Sequence, residues 1–195
     1  MTRAVRHVAV LSLALLGCSG DQPTKEANRP ADSTEIFDEE ARISRIPDRY
    51  KPLFEPGLGD DERTALMQNL PYDSISLSRS PCYGTCPVYS VTFHRTGKAE
   101  LDATEFLPKV GKFAAEINLN TYGRLCYFIE DSRFRELKPD YHAPWTDDTT
   151  CVVTVTEGDR QTRVSDYGEV GPIELWAIQS LIDAVRNELD WKPVP

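Results

Sequence analysis

Cys82 and Cys86, four residues apart in Cys82-Tyr83-Gly84-Thr85-Cys86-Pro87, are the residues whose type and spacing best suit chemistry. As thiolates they would be nucleophiles and redox partners of each other, or soft ligands of the kind that holds Cu(I). As a disulfide they would close a small loop, and Gly84 supplies the backbone freedom that loop needs. Asp147-Asp148 and Asp166-Tyr167-Gly168 are a second candidate, since neighbouring carboxylates do acid–base work or bind Ca²⁺. They lack EF-hand spacing, and turn capping accounts for them more simply. The chain has no Gly-x-Ser-x-Gly, His-Glu-x-x-His or P-loop motif.

Choosing between the two readings of the cysteines requires the elements around them. Ile75 to Arg79 alternates as a strand should, and so does Val88 to Arg95. Cys-x-x-x-Cys-Pro resembles the motif of the Sco-type copper-delivery proteins of the bacterial envelope, in which two thiolates and a distant histidine bind copper. That resemblance implies Cys82 and Cys86 as metal ligands, with His94 or His142 to complete the set. In that thioredoxin-like family a helix follows the motif. Here the following residues are β-branched and alternating. The motif therefore reads as a disulfide staple at the start of a sheet, with thiol redox or copper handling as the alternative. His94 lies in a strand and reads as an ordinary sheet residue.

Beyond this point the chain reads as hairpin, helix, hairpin, helix. Thr96-Gly97-Lys98 turns the chain into a third strand, Lys98 to Thr104. Gly111 to Ile117 is either a fourth short strand or a loop. Asn118 or Asn120 caps a helix whose Tyr122, Leu125, Cys126 and Ile129 recur on one face. Residues 133–148 read as irregular and aromatic. Thr149 to Glu157 and Gln161 to Tyr167 form a second hairpin about Gly158-Asp159. Pro172 opens a last helix at its first position, with a stripe of Leu175, Ile178, Ile182, Val185 and Leu189. The expected fold class is α+β: an antiparallel sheet of about five strands with two helices packed on one face, over residues 72–192.

The N-terminus is of another kind. Arg3 and Arg6 precede a short apolar core, Val8 to Leu16, which is the pattern of a secretory signal over residues 1–17. Leu15-Leu16-Gly17-Cys18 is similar to a bacterial lipobox, and the resemblance implies cleavage before Cys18 and lipidation of its thiol and new amino group. Several acyl chains make a stable anchor where one would be marginal. Ser19, rather than Asp, after that cysteine points to the outer membrane, facing the periplasm. Residues 18–35 read as a flexible, lipidated tether and residues 36–71 as a proline-rich, partly helical arm that packs on the domain or binds a partner. Loss of Arg3 and Arg6 on cleavage takes the net charge from −9 to −11. Such a balance argues against nucleic acid and against docking on anionic lipid by charge.

With Cys18 set aside, four cysteines remain for an oxidising compartment: Cys82, Cys86, Cys126 and Cys151. Four allow three pairings. If the helix bearing Cys126 covers the strand bearing Cys151, those two would pair as well and add about 3 kcal/mol by loop closure.

A second resemblance spans most of residues 73–192. Ser80-Pro81-Cys82-Tyr83-Gly84-Thr85-Cys86-Pro87-Val88-Tyr89, the Thr96-Gly97 hairpin, Asp166-Tyr167-Gly168 and Leu175-Trp176 in a terminal helix resemble an often exported bacterial family of unknown function with a Cys-x-Gly-x-Cys-Pro-x-Tyr signature. The resemblance brings no activity and no catalytic residues. Taken together, the sequence points to a lipid-anchored envelope protein with no cofactor and no catalytic residue, a binding or assembly module for a partner protein of the envelope.

Overall fold

The computed structural model describes residues 45–54, 57 and 59–194. Cys18, the signal, the tether and residues 36–44 of the arm lie outside them.

Strand formation follows the alternation. In β1 (Ser74–Arg79) Ile75 and Leu77 point inward while the serines between them point out. In β2 (Val88–His94) the inward set is Tyr89, Val91 and Phe93, and in β3 (Lys98–Glu105) it is Ala99, Leu101 and Ala103. β6 (Thr150–Glu157) buries Cys151, Val153 and Val155, and β7 (Arg160–Tyr167) buries Val164 and Asp166 on the same face. These are the five strands legible in the alternation. The sheet has eight. β4 (Gly111–Glu116) extends it beyond β3, where a strand or a loop was expected. β5 (Asp140–His142) and β8 (Lys192–Pro193) close its two edges. They are three and two residues long, so no period can show in them.

The strand order is β5-β7-β6-β1-β2-β3-β4-β8. Every pair is antiparallel except β5 with β7. The α+β class holds, and the expected antiparallel sheet of about five strands and two helices is extended, among the described residues, to eight strands, one pair of them parallel, and three helices. β5 runs parallel to β7 because the chain between them goes out and back through β6, reversing direction twice, so β7 returns in the direction of β5.

Three α-helices are present among the described residues: α1 (Asp60–Asn69), α2 (Leu119–Asp131) and α3 (Ile173–Glu188). Asn118 caps α2, its Oδ1 accepting from the Thr121 N–H at 2.8 Å. Pro172 stands one position earlier than expected, at the N-cap of α3. Tyr122, Leu125, Cys126 and Ile129 of α2 share one core with Leu175, Ile178, Ile182 and Val185 of α3, against the inward sheet face. The other sheet face carries Ser76, Ser78, Ser90, Thr92 and Thr154, and no helix among the described residues covers it.

Part of the arm joins this core. Tyr50 and Leu53, in a 3-10 turn at Asp48–Phe54, are buried against α2. Gly123 makes the room, since a Cβ there would meet the Leu53 methyls at 2.7 and 2.8 Å. Arg49 bonds both oxygens of Glu130 at 2.7 and 2.8 Å, and the Tyr50 hydroxyl donates to the same carboxylate. Leu66 and Leu70 are buried too. No helix among the described residues is long and apolar enough to cross a membrane.

Candidate functional site

The loop between β1 and β2 brings Cys82 and Cys86 to a Cα separation of 5.8 Å as a disulfide, within the usual range for that bond. The loop is tied down on its other side. The Ser80 N–H donates to the Thr150 carbonyl at 3.0 Å, the Thr149 hydroxyl to the Ser80 carbonyl at 2.7 Å, and the Tyr83 N–H to the Asp147 carbonyl at 3.0 Å. These bonds fix the backbone while the Tyr83 side chain stands 90% exposed. A strand follows Pro87, so the fold around the motif differs from that of a thioredoxin-like copper site. His94 lies at the far end of β2, opposite Ser74. His142 lies on the edge strand β5 and stacks on Tyr167 at 4.5 Å between centroids. Neither is brought to the cysteines. Among the described residues no three His, Cys, Asp or Glu side chains cluster to hold a metal ion.

The structure does not bring Cys126 and Cys151 together; both are free, buried thiols. Both face the core, as the expected disulfide requires, but at opposite ends of β1. Cys126 lies beside the Tyr72 backbone, just before β1 begins. Cys151 pairs across the ladder with Arg79, the last residue of β1. Seven residues of extended chain separate those two reference points, about 23 Å at the strand rise. A helix can cover a sheet face without its cysteine reaching the strand's. Burial pushes each thiol up to about 12, which leaves both protonated at neutral pH; Arg79 beside Cys151 opposes that rise without cancelling it.

Around the disulfide loop lies a rim of exposed apolar side chains. Nine large apolar residues are exposed among the described residues, and seven of them gather at the end of the sheet where β1, β3 and β7 finish. Tyr83 comes from the β1–β2 loop, Phe106 and Val110 from the β3–β4 loop, and Trp145 from the segment before β6. Val170 follows β7, and Ile173 and Trp176 stand on the first turns of α3. From β7 to β4 the rim runs about 24 Å, five strand spacings. Gly168, at φ 74°, lets the chain pass beneath Trp145: a Cβ there would lie 2.7 Å from the Ala143 Cβ and 3.1 Å from the Trp145 Nε1. Exposed acids adjoin these residues, Glu105, Asp147, Glu169 and Glu174, against two exposed bases, Lys109 and Lys112.

Beneath the rim lies a polar cluster that alternation alone does not show. Arg79 occupies the third inward position of β1, after Ile75 and Leu77. Its guanidinium donates to Asp183 Oδ2 from Nε at 3.2 Å and from Nη2 at 2.8 Å, to Cys151 Sγ at 2.8 Å and to Glu169 Oε1 at 3.1 Å. Tyr89, from the Cys-x-Gly-x-Cys-Pro-x-Tyr run, donates its hydroxyl to Asp183 Oδ1. Burial, and then that carboxylate, push the Tyr89 phenol well above its ordinary value. Burial works against the charge on Arg79, and the acidic groups around it outweigh the burial and hold its pKa up. Both β1 and β2 are thereby tied to Asp183 of α3. The sequence does carry a signal for this. Gln179, Asp183 and Arg186 recur at i, i+4 and i+7 beside the apolar stripe of α3, and Arg79 breaks the apolar run of β1.

The paired carboxylates prove to be fastenings. Asp148 accepts from the Trp145 indole N–H at 3.0 Å. Asp166, 1% exposed, accepts from the Gly171 N–H at 3.0 Å and from Gln179 Nε2 at 3.2 Å. It thus fixes the turn that leads into α3, and Asp147 and Asp148 stay in the exposed loop ahead of β6. The arrangement offers surface recognition over a rigid base: a stapled loop, an aromatic rim and a buried ion-pair network that locks the neighbouring helix. No match was found among curated proteins. A family model, described as a domain of unknown function, matches residues 73–186, which take in the stapled loop, Arg79 and Arg186. The chain belongs to that family, DUF6438.

Proposed function

We propose that this is a lipid-anchored protein of the cell envelope, acylated on Cys18, whose α+β domain binds a partner protein through its aromatic rim. The observation that carries the binding role is the gathering of seven of nine exposed large apolar residues at one end of the sheet. Scattered exposed apolar residues are ordinary; a set gathered at one end of the sheet, with two Trp, a Tyr and a Phe in it, is the composition of an interaction surface. The acids around the rim favour a partner face that is apolar at its centre and basic at its margin, and they disfavour an anionic bilayer. The Cys82–Cys86 bond and the Arg79–Asp183 network hold the rim's base rigid, which lowers the ordering cost of binding.

A photo-crosslinking residue placed at Tyr83 or Trp176 in the full-length chain, with Asp159 at the other end of the sheet as control, tests the reading. An envelope protein attached from positions 83 and 176 but not from 159 is the expected result, together with fatty-acid labelling that Cys18→Ser abolishes. Identical adducts from all three positions, or none from the rim, would refute the binding role. Labelling that survives in Cys18→Ser would refute the anchor.

A further inference from the structure

We propose that the groove between the C-terminal turn of α3 and the β3–β4 loop binds the carboxylate of an unbranched apolar chain, a fatty-acid-like anion, with Arg186 taking the charged end. None of the seven exposed rim residues lines the groove, although both draw on the β3–β4 loop. Leu101, Leu107, Phe113, Leu189 and Trp191 form its apolar lining, and its volume is about 330 Å³. That volume lies at the lower end of the range for small-molecule sites. The residues that follow α3 build one wall, and the Trp191 indole is fixed there by donating to the Arg186 carbonyl at 2.8 Å.

The choice of a carboxylate rests on Arg186. Its nearest acid, Asp183, is committed elsewhere: Oδ2 accepts twice from Arg79, and Oδ1 accepts the Tyr89 hydroxyl. Arg186 Nε stands 3.5 Å from Asp183 Oδ1, but it is buried and has no hydrogen-bond partner. The guanidinium rests on the Tyr89 ring at 4.4 Å from its centroid. Arg186 therefore lines the groove as a positioned cation, and none of its side-chain donors finds an acceptor among the described residues. Lys109 and Asp190, on the other walls, offset each other in formal charge, and Arg186 shares the Asp183 carboxylate with Arg79, which leaves its guanidinium ion-paired but without a hydrogen bond. A planar fork of donors with no acceptor matches a carboxylate in two places at once. Joined to the apolar floor, that defines an amphiphile with a carboxylate head. The net charge of −9 makes a local cationic pocket unexpected from composition.

Calorimetric titration of the full chain with dodecanoate, below its micelle concentration, tests the site. Dodecyltrimethylammonium and dodecanol serve as equal-tailed controls, octanoate as the shorter acid, and acetyl-Leu-Leu-Leu with a free C-terminus as a peptide source of the same chemistry. Dodecanoate is expected to bind one to one and at least tenfold more tightly than octanoate, because each buried methylene adds about fourfold. Arg186→Met, which keeps the stem over Tyr89, should weaken it at least tenfold. Leu107→Asn should do the same from the loop side, with the melting temperature of each variant read as a control on folding. Equal binding of the ammonium or the alcohol would overturn the carboxylate assignment. Affinity unchanged in both variants, or no heat of binding, would overturn the site. Binding of the tripeptide without dodecanoate would overturn the acyl-chain assignment. Loss of rim crosslinking would not affect any of these outcomes.

Discussion

Asp183→Ala is the most informative perturbation of the buried network. The side chain accepts from Arg79 Nε at 3.2 Å, from Arg79 Nη2 at 2.8 Å and from the Tyr89 hydroxyl. Arg79 and Asp183 are only 15% and 22% exposed at their side chains, so water replaces the lost carboxylate poorly. Removing one partner of a buried pair costs about 3–5 kcal/mol, mostly from the charge left behind. Glu169 remains beside Arg79 at 3.1 Å and takes up part of that charge, so the lower end, about 3 kcal/mol, is expected. For a domain of this size that lowers the melting temperature by roughly 6–12 °C. Chemical denaturation followed by tryptophan fluorescence and circular dichroism measures it. Glu169→Ala is the control: its side chain is 42% exposed, and it should cost no more than about 1 kcal/mol. A loss below about 1 kcal/mol in Asp183→Ala, or equal losses in the two variants, would refute the claim that Asp183 neutralises Arg79 in the folded chain.

Two further outcomes follow from the same interior. The Cys126 and Cys151 thiols are pushed up to about 12, above an ordinary value of 9.0, mainly by burial. Between those values the unfolded chain loses these protons and the folded one keeps them. Stability should therefore fall as pH rises from about 9 towards 12, by up to ~1.4 kcal/mol per pH unit per thiol. Urea denaturation at stepped pH checks it: Cys126→Ala/Cys151→Ala should lose the slope between about pH 9 and 10, above which the buried Tyr50, Tyr72, Tyr89 and Tyr122 phenols add a fall of their own in both proteins; the same profile in that variant below about pH 10 would count against it. Gly168→Ala forces a side chain into φ 74° and into Ala143 and Trp145, so it should destabilise by about 2–3 kcal/mol and shift the Trp145 fluorescence. An unchanged emission spectrum would contradict the packing of the rim on Gly168.

Local pattern was enough to identify the five long strands and the two domain helices, because each buries one face. Ile75 and Leu77 show it at period two, and Leu175, Ile178 and Ile182 at helical spacing. β5 and β8 escaped because three and two residues carry no period and are recruited by their neighbours' free edges. The disulfide loop was readable from Cys82, Gly84 and Cys86 in sequence, since its closure is local. The separation of Cys126 from Cys151 was not, because it depends on where along the sheet a helix lies. The rim was unreadable for the same reason. Phe106, Trp145 and Trp176 are far apart in the chain, and strand order carries them to the same end of the sheet.

Periodicity and short-range closure made the α+β class legible in the chain, and Cys82 and Cys86 as a loop rather than the head of a helix. Only the tertiary structure decided that Arg79 meets Asp183 across 104 residues, that Cys126 and Cys151 stay apart, and that Arg186 is left with donors to spare. Hydrogen bonds and ion pairs act over a few ångströms, so which charges share a partner is settled by strand register and helix placement together, and neither is written in a local pattern.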